Sequence, residues 1–323
     1  MLRQAPRLIG FLLITLIAGC DKPVPATPET PSAVTTHNDG RAPIQEIYAA
    51  YDTLLDKGWT KDVITVSHPA GTTVGLPIIA LKSPKAGPAA WFLTGIHGEE
   101  PAGPNAMVAS VDALAALGER YPVVILPLCN PHGYARNWRY LNMAVYSEEI
   151  DGQSVGDSSH MLLAESPASG PRAASASSPE ADAITRYILE TSTQYPPRYS
   201  IDLHEDNLIH EGYVYSQGVN GAEDPLAIEA VEILRANNIG IKMDGQTRFE
   251  EDIVDGIIGP VTDSSVDELM SAARIWNNGA ESDGPAAHTV LVFETPAAHL
   301  SIEQRIQAHA GLLERLTTFI GKD

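Results

Sequence analysis

The sequence has few cysteines and few basic residues, and each shortage excludes a class of protein. Only two cysteines, Cys20 and Cys129, occur in 323 residues. They are too few for a disulfide scaffold or a cysteine-based zinc site, so any metal would be held by His, Glu or Asp. Lys and Arg number 21 against 41 Asp and Glu, a net charge of −20. Because a chain this acidic repels phosphate groups, we expect no nucleic acid partner.

A long apolar segment is also missing, and the N-terminus instead has the organisation of an export signal. Arg3 and Arg7 precede the apolar stretch Leu8–Ile17, which is too short to span a bilayer as a helix. The sequence Ile17-Ala18-Gly19-Cys20 resembles the lipobox of bacterial lipoproteins, in which the cysteine is acylated and becomes the mature N-terminus. An ordinary secretory signal with an incidental cysteine is the alternative.

These features divide the chain into three predicted parts. They are a lipoprotein signal peptide over residues 1–19, a flexible tether rich in Pro, Thr and Ser over residues 20–43, and a globular domain over residues 44–323. We expect the protein in the bacterial cell envelope, facing the periplasm and anchored to the membrane by a lipid on Cys20. Asp21 resembles the aspartate that retains enteric lipoproteins in the inner membrane, which is the expected membrane if Asp21 acts in that way.

Short apolar runs alternate with segments of helical period, a pattern that predicts an α/β domain with helices on both faces of a sheet. The predicted strands are Val63–Ser67, Leu76–Leu81, Ala89–Thr94, Val123–Leu128, Ser200–Leu203, Tyr213–Tyr215 and Thr289–Phe293. The predicted helices are Gly103–Leu117, Glu180–Thr191, Pro225–Ala236 and Ile302–Phe319. Two stretches, 147–180 and 245–278, show little period and are predicted to be long loops of the kind that often carry function.

The first candidate group for chemistry is His97 with Glu100, directly after the predicted strand Ala89–Thr94. Glycines on both sides of His97 permit a sharp turn, and Pro101 suits the first turn of a helix. The imidazole and the carboxylate can therefore converge on one point. The alternative is a structural one, in which the acids only favour the positive end of the helix dipole.

His204 is a second candidate, near the end of another predicted strand. Asp202 or a nearby backbone carbonyl can orient its ring, as in many metal sites. A buried histidine satisfied by hydrogen bonds is the alternative. The H-E-x-x-H pattern of zinc proteases is excluded, because Leu208 stands where its second histidine is required.

Two further motifs follow predicted strands. Asn130-Pro131-His132-Gly133 is followed by Arg136 and Arg139 and predicts a turn or loop that presents guanidinium groups to a pocket. Glu294, at the end of the apolar strand before Thr295-Pro296, is a candidate general base, because a buried carboxylate is costly without a role. A solvated loop and a solvent-facing glutamate are the respective alternatives.

Taken in this order, the four motifs resemble the zinc carboxypeptidase family, including its aspartoacylase/succinylglutamate desuccinylase branch, over about residues 89–296. The resemblance implies a mixed central β-sheet sandwiched by helices. It also implies that His97, Glu100 and His204 bind one Zn²⁺ ion, which leaves an open position for catalysis. Glu294 matches the family's general base, and Arg139 matches the arginine that stabilises the tetrahedral oxyanion.

The chain also departs from classical members of that family. They carry an adjacent Asn-Arg pair that binds the terminal carboxylate of the substrate, whereas this chain has Asn142 after Arg139 but no such pair. They also place a mobile tyrosine ahead of the catalytic glutamate, whereas Tyr215 is the last tyrosine here and Trp276 is the nearest aromatic of similar size. Arg136 and Asn142 are candidate substrate contacts. Either carboxylate recognition falls to Arg136, Arg172 or Arg248, or the substrate has no free terminal carboxylate.

The expected function is zinc-dependent hydrolysis of amide bonds, carried out by a carboxypeptidase-like enzyme on peptides or cell-wall peptides. Deacylation of N-acyl amino acids is the alternative, because the Asn-Arg pair is missing. A third possibility is a lipoprotein that binds a solute or partner without catalysis.

Overall fold

The computed structural model describes residues 34–150, 152–166 and 169–321. The predicted signal peptide, residues 1–19, and the predicted tether up to residue 33 lie outside the described residues. Within the described part, no helix is long and apolar enough to cross a bilayer.

A large mixed β-sheet forms the centre of the molecule, as the sequence predicted. The strands are β1 (Thr60–Ser67), β2 (Leu76–Lys82), β3 (Ala89–Thr94), β4 (Val123–Leu126), β5 (Pro197–Asp206), β6 (Tyr213–Ser216), β7 (Asp244–Gln246), β8 (Asp252–Val254), β9 (Ile257–Ile258), β10 (Arg274–Asn277), β11 (Ala280–Asp283) and β12 (Thr289–Pro296). Ten of these strands pair in the order β1-β2-β4-β3-β5-β12-β6-β9-β8-β7, and β10 pairs with β11 in a separate hairpin. The four central strands β4, β3, β5 and β12 are parallel to one another.

Helices cover both faces of this sheet. They are α1 (Ile44–Ala50), α2 (Asp52–Leu55), α3 (Ala102–Ala109), α4 (Val111–Arg120), α5 (Pro131–Arg136), α6 (Pro179–Thr191), α7 (Pro225–Ala236), α8 (Val266–Ser271) and α9 (Ile302–Phe319). Apolar residues of α3, α4, α7 and α9 pack on one face of the central strands, against Phe92 and Phe293. Those of α6 and α8 pack on the other face, against Trp91 and Val290. The sheet is thus the middle layer of an α/β/α sandwich.

Of the helices with clear capping signals, α7 and α9 have the predicted bounds, and α6 begins one residue before the predicted Glu180. Ser301 begins α9 with a complete capping box, in which its hydroxyl accepts from the Gln304 amide and Gln304 reaches back to the Ser301 amide. Asp224 caps α7, and Ser178 caps α6 ahead of a proline at the first helical position. These local signals predict helix ends well because they act within one turn of the chain.

Three predicted elements need correction. The single helix predicted over 103–117 is two helices, α3 and α4, which meet at Ser110 with non-helical backbone. The turn or loop predicted after Asn130 is the short helix α5, and Asn130 caps it by accepting from the Gly133 amide. The loop predicted over 245–278 contains the β-hairpin β7–β8, strand β9, helix α8 and strand β10, whose elements are too short to show a period.

The described part of the predicted tether, residues 34–43, packs against the domain. Arg41 is only 6% exposed and donates hydrogen bonds to the carbonyls of Gly98 and Tyr134. It also forms an ion pair with Asp39 at 2.6 Å. The Arg41 guanidinium thereby joins the chain after His97 to helix α5, so this segment belongs to the folded domain.

The parallel arrangement of β3, β5 and β12 places three of the candidate groups together. The carboxyl ends of these adjacent strands lie at one edge of the sheet, where ligands bind in open α/β folds. His97 and Glu100 follow β3, His204 lies near the end of β5, and Glu294 lies near the end of β12. The fold therefore brings distant parts of the sequence to one place.

Candidate active site

His97, Glu100 and His204 converge at the sheet edge. The Nδ1 atom of His97 lies 2.8 Å from Oε1 of Glu100, and Nδ1 of His204 lies 2.9 Å from Oε2 of the same carboxylate. The two Nδ1 atoms are 3.1 Å apart. Two imidazole nitrogens and one carboxylate that face a common point are the ligand set of a catalytic zinc ion with an open position. The residues present fit zinc.

The loop that carries His97 and Glu100 is held by a close backbone contact. Gly98 packs so tightly on helix α5 that an added Cβ would lie 2.0 Å from the carbonyl carbon of Gly133. Only glycine permits this approach. The N-P-x-G motif thus supports the ligand loop through its backbone, in addition to the arginines that follow it.

Asp202 contacts the ring nitrogen of His204 that does not face Glu100. Its Oδ2 atom lies 3.1 Å from Nε2 of His204, and the Asp202 side chain is fully buried. A carboxylate on the second ring nitrogen fixes the tautomer and turns Nδ1 towards the ligand position. Asp202 is one of the two groups, with a nearby backbone carbonyl, that the sequence analysis named for this role.

The electrostatics of the three residues suit a cation. Burial and the nearby Arg139 guanidinium lower the pKa of His97 to about 4, so its imidazole is neutral, as a metal ligand must be. Burial raises the pKa of Glu100, but the two neighbouring histidines lower it by a larger amount. The pKa of Glu100 therefore lies well below its usual value. Burial lowers the pKa of His204, and the carboxylates of Asp202 and Glu100 raise it more strongly. A divalent cation on Nδ1 competes with that proton.

Glu294 lies directly beside this group. It is opposite His204 in the parallel β5–β12 pair, and its Oε2 atom is buried with no hydrogen-bond partner among the described residues. Burial raises its pKa well above the usual value. An unpartnered carboxylate next to the ligand position can accept a proton from water there.

Arg139 also reaches the site. Its Nη1 atom lies 3.0 Å from Oε1 of Glu100 and 3.1 Å from Oε1 of Glu99. Burial and the Glu100 charge raise the pKa of Glu99 to about 7, although Arg139 opposes this. A guanidinium in this position can stabilise negative charge that develops on a bound substrate.

The candidate residues line one cavity of about 1300 Å³. His97, Glu100, Arg139, His204 and Glu294 all line it, and so does Asn142, whose Oδ1 accepts from the Gln153 amide. Arg136 is not among its lining residues and instead stacks on Trp138, 5.1 Å from the ring centre. Arg136 therefore lies outside the lining of this cavity.

The two other arginines considered for carboxylate binding differ from each other in whether they line the cavity. Arg172 is engaged by Glu268 through an ion pair of 2.6 Å and does not line the cavity, whereas Arg248 does. Trp276 lines a separate, smaller cavity. Of these three residues, only Arg248 is placed to meet a substrate at the site.

Sequence reasoning missed several residues of the cavity wall. Tyr213 pairs with Glu294 in the antiparallel β6–β12 register, so the tyrosines of β6 lie at the site although they precede Glu294 by many residues. Tyr213 and Tyr215 donate hydrogen bonds of 2.7 and 2.8 Å to Asp206 and Glu251. Among the other wall residues that were missed are Gln217, Glu251, Asp263 and Asp267. The only sequence signal was the acidic character of residues 245–278.

Comparison with protein families agrees with this geometry. The family model for zinc carboxypeptidase matches residues 57–283. The fold and the site define a zinc-dependent metallopeptidase. The chain belongs to the zinc carboxypeptidase family. The match ends before Glu294, which the register of β12 brings to the site.

Solved structures show the same fold. A protein from Shewanella amazonensis named as a metallopeptidase is 22% identical, with a TM-score of 0.66 over 87% of this chain and 94% of the other. A metallo-carboxypeptidase from Burkholderia cenocepacia is 12% identical, with a TM-score of 0.54 over 87% and 70%. Carboxypeptidase A from Helicoverpa armigera is 14% identical, with a TM-score of 0.52 over 88% and 75%. A search of curated proteins finds no match.

Proposed function

We propose that this protein hydrolyses amide bonds in peptides or cell-wall peptides, with Glu294 as the general base and one zinc ion held by His97, Glu100 and His204. The observation that carries the proposal is the Oε2 atom of Glu294, which is buried without a hydrogen-bond partner among the described residues and lies in the cavity that the ligand set also lines, on a strand position opposite His204. When bound, zinc lowers the pKa of water and polarises the scissile carbonyl.

The chain's own groups supply the proton transfers and part of the charge stabilisation. Glu294 accepts the proton of the attacking water and delivers it to the leaving amine. The Arg139 guanidinium, already beside Glu100, is placed to stabilise negative charge on the carbonyl oxygen. Asp202 keeps the His204 ring oriented throughout.

The size of the cavity favours a peptide over a small N-acyl amino acid. A volume of about 1300 Å³ exceeds the 300–1,000 Å³ typical of small-molecule pockets. Residues of the stretch 152–177 form part of its wall, so the long connection before α6 contributes to the substrate site. A peptide of several residues would use this space.

The Glu294→Gln variant tests the catalytic part of the proposal. Glutamine keeps the shape of the side chain but accepts no proton, so we expect kcat to fall by about 100- to 10,000-fold while zinc content is retained. Glu119→Gln, outside the cavity lining, is the matched control and should keep full activity. Full activity in Glu294→Gln would show that Glu294 is not the base.

The substrate class is tested by a panel of peptides, cell-wall peptides and N-acyl amino acids given to the zinc-loaded protein. Hydrolysis of peptides supports the proposal. Turnover confined to N-acyl amino acids would make the protein a deacylase, and no turnover of any amide would favour a binding lipoprotein without catalysis.

We also propose that the protein is a lipoprotein of the bacterial cell envelope, anchored through Cys20 and facing the periplasm. The support is the sequence Ile17–Cys20 after a short apolar stretch, with Asp21 favouring the inner membrane. The wild type should incorporate labelled fatty acid and sediment with membranes, whereas Cys20→Ser should do neither. Equal labelling of both proteins would contradict lipidation at Cys20.

A further inference from the structure

A second cavity of about 600 Å³ lies beside the metal-site cavity. It is bounded by the first two turns of α6, by the chain at His160 and by the tip of the β10–β11 hairpin. Ser175, Ala176 and Ser177 line both cavities, so a ridge of small residues separates them. The volume of the second cavity lies within the range of about 300–1,000 Å³ that is typical of small-molecule sites. A substrate in the first cavity can therefore extend over the ridge into the second.

The polar wall of the second cavity carries no excess charge. Both carboxylate oxygens of Asp182 accept from Nε of Arg186 at 2.9 Å. Nε2 of His160 lies 3.2 Å from Oδ1 of the same carboxylate. Burial lowers the pKa of His160 by more than the neighbouring carboxylates raise it, so the imidazole is neutral around pH 7. Because the carboxylate and the guanidinium compensate each other, this wall favours a neutral polar ligand over an ion.

Trp276 supplies an aromatic surface to the same cavity. Its backbone amide donates a hydrogen bond of 2.7 Å to the Met161 carbonyl, which fixes the β10–β11 hairpin beside His160. Asn277 and Asn278, at the tip of the hairpin, add amide groups to the lining. The C–H face of a sugar ring is apolar and packs on an indole ring, while the hydroxyl groups at its edge need donors and acceptors. This combination of groups suits a carbohydrate.

Both sides of the second cavity are held by regular structure. The β10–β11 hairpin closes through Asn278 and Gly279, whose φ values of 51° and 79° are those of a tight two-residue hairpin turn. On the side of α6, the Ser178 hydroxyl caps the helix by accepting from the Ala181 amide and donates to the Ser154 carbonyl at 2.7 Å. A ligand therefore binds without first having to order its site.

We propose that the second cavity binds a neutral sugar ring, a hexose or an N-acetylhexosamine, of the same substrate whose amide bond is cut at the metal site. The ring would pack on Trp276, and its hydroxyl groups would form hydrogen bonds with Asp182, Arg186 and the hairpin amides. A peptide that carries a sugar would cross the ridge at residues 175–177 and occupy both cavities. The link to the substrate rests on the proposed peptidase function, whereas sugar binding does not depend on it.

Calorimetry with neutral oligosaccharides tests the sugar site without catalysis. The probes are chitotriose, which is built from N-acetylglucosamine, and cellotriose. We expect at least one of them to bind the wild type saturably, and Trp276→Ala to weaken that binding about 10- to 100-fold, since aromatic anchors carry much of the energy of an interface. Trp276→Phe keeps a flat ring and should lose less. Trp138→Ala changes a half-buried tryptophan outside both cavities and should bind as the wild type does.

A matched pair of substrates tests the link between the two cavities. The pair is one peptide with and without N-acetylglucosamine attached at the end remote from the scissile bond. Because the sugar binds away from the reacting atoms, it should lower KM about 10-fold or more and leave kcat within about threefold. Trp276→Ala should remove this advantage and keep the wild-type rate on the free peptide.

The outcomes separate this inference from the proposed function. Oligosaccharide binding that Trp276→Ala abolishes, in a protein that hydrolyses no amide, would support the sugar site and remove the peptidase. Hydrolysis of peptides without oligosaccharide binding, or with equal binding in the wild type and Trp276→Ala, overturns the sugar site. Displacement of the sugar by inorganic phosphate or free lysine would overturn its assignment to a neutral ligand. An equal KM for both members of the peptide pair overturns the use of the site by the substrate.

Discussion

Gly98→Ala is expected to damage the metal site although it removes no ligand. An added Cβ would lie 2.0 Å from the carbonyl carbon of Gly133 and 2.2 Å from the amide nitrogen of Tyr134. Both atoms belong to the backbone of α5, so no side chain can rotate to relieve the overlap. The loop that carries His97 and Glu100 must move away from that helix.

The size of the effect follows from these distances. Ordinary carbon contacts begin near 3.5 Å, so the two backbones must separate by more than about 1 Å. Overpacking of this kind costs about 1–3 kcal/mol, and a 1 Å misplacement of catalytic groups costs about 100-fold in rate. The movement also strains the hydrogen bond from Arg41 to the Gly98 carbonyl, which is 2.9 Å long. We expect a loss of about 2 kcal/mol, or 4–8 °C in Tm.

Three measurements check the expectation: Tm from thermal unfolding, zinc affinity by competition with a chelator, and kcat on a peptide substrate. Gly259→Ala is the matched control, because an added Cβ there meets no atom within 4 Å. It should leave all three values unchanged. If Gly98→Ala kept the zinc affinity and kcat of the wild type, the proposed backbone support of the ligand loop would be refuted.

Three further predictions concern the metal, its support and pH. Removing zinc with a chelator should lower Tm and abolish hydrolysis, and added zinc should restore both. A Tm that chelation leaves unchanged would argue against a metal bound by the folded protein. Asp202→Asn removes the charge beside Nε2 of His204 and should weaken zinc affinity about 10- to 100-fold in a competition titration, and an unchanged affinity would contradict the orienting role. Burial lowers the pKa of His132 from 6.5 to about 4, so in this range the unfolded chain binds a proton that the folded protein does not. The free energy of unfolding should therefore fall as the pH drops from 6.5 towards 4, and His132→Gln should show less of this loss in urea unfolding; an identical pH dependence in both proteins would exclude His132 as the cause.

The parts of the fold that could be predicted are those with local signals. Helices α7 and α9 have the predicted bounds, because Asp224 and Ser301 are capping residues directly before an apolar period. The buried central strands were also found, since they are continuous apolar runs. The hairpin β7–β8 was missed, because its strands have three residues each and are largely exposed, so tertiary pairing rather than pattern defines them.

The residues of the candidate site can likewise be divided into those with a local signal in the sequence and those without one. His97 and Glu100 lie three residues apart in one turn, and motif spacing indicated them. Gln217, Glu251 and Asp263 could not be found, because nothing local separates a carboxylate or amide in a cavity wall from one in solvent. Arg136 illustrates the converse: its position after the N-P-x-G motif suggested a substrate contact, but α5 turns it towards Trp138.

The sequence alone determined which residues are able to bind a metal and which segments are buried strands or capped helices, because both depend on side-chain chemistry over a few neighbouring positions. Only the tertiary structure decided that β5 and β12 are adjacent and parallel, which sets Glu294 beside His204. It also decided which acids of the later chain surround the substrate cavity. Such choices depend on strand order and on packing between segments far apart in the chain, and neither leaves a local pattern in the sequence.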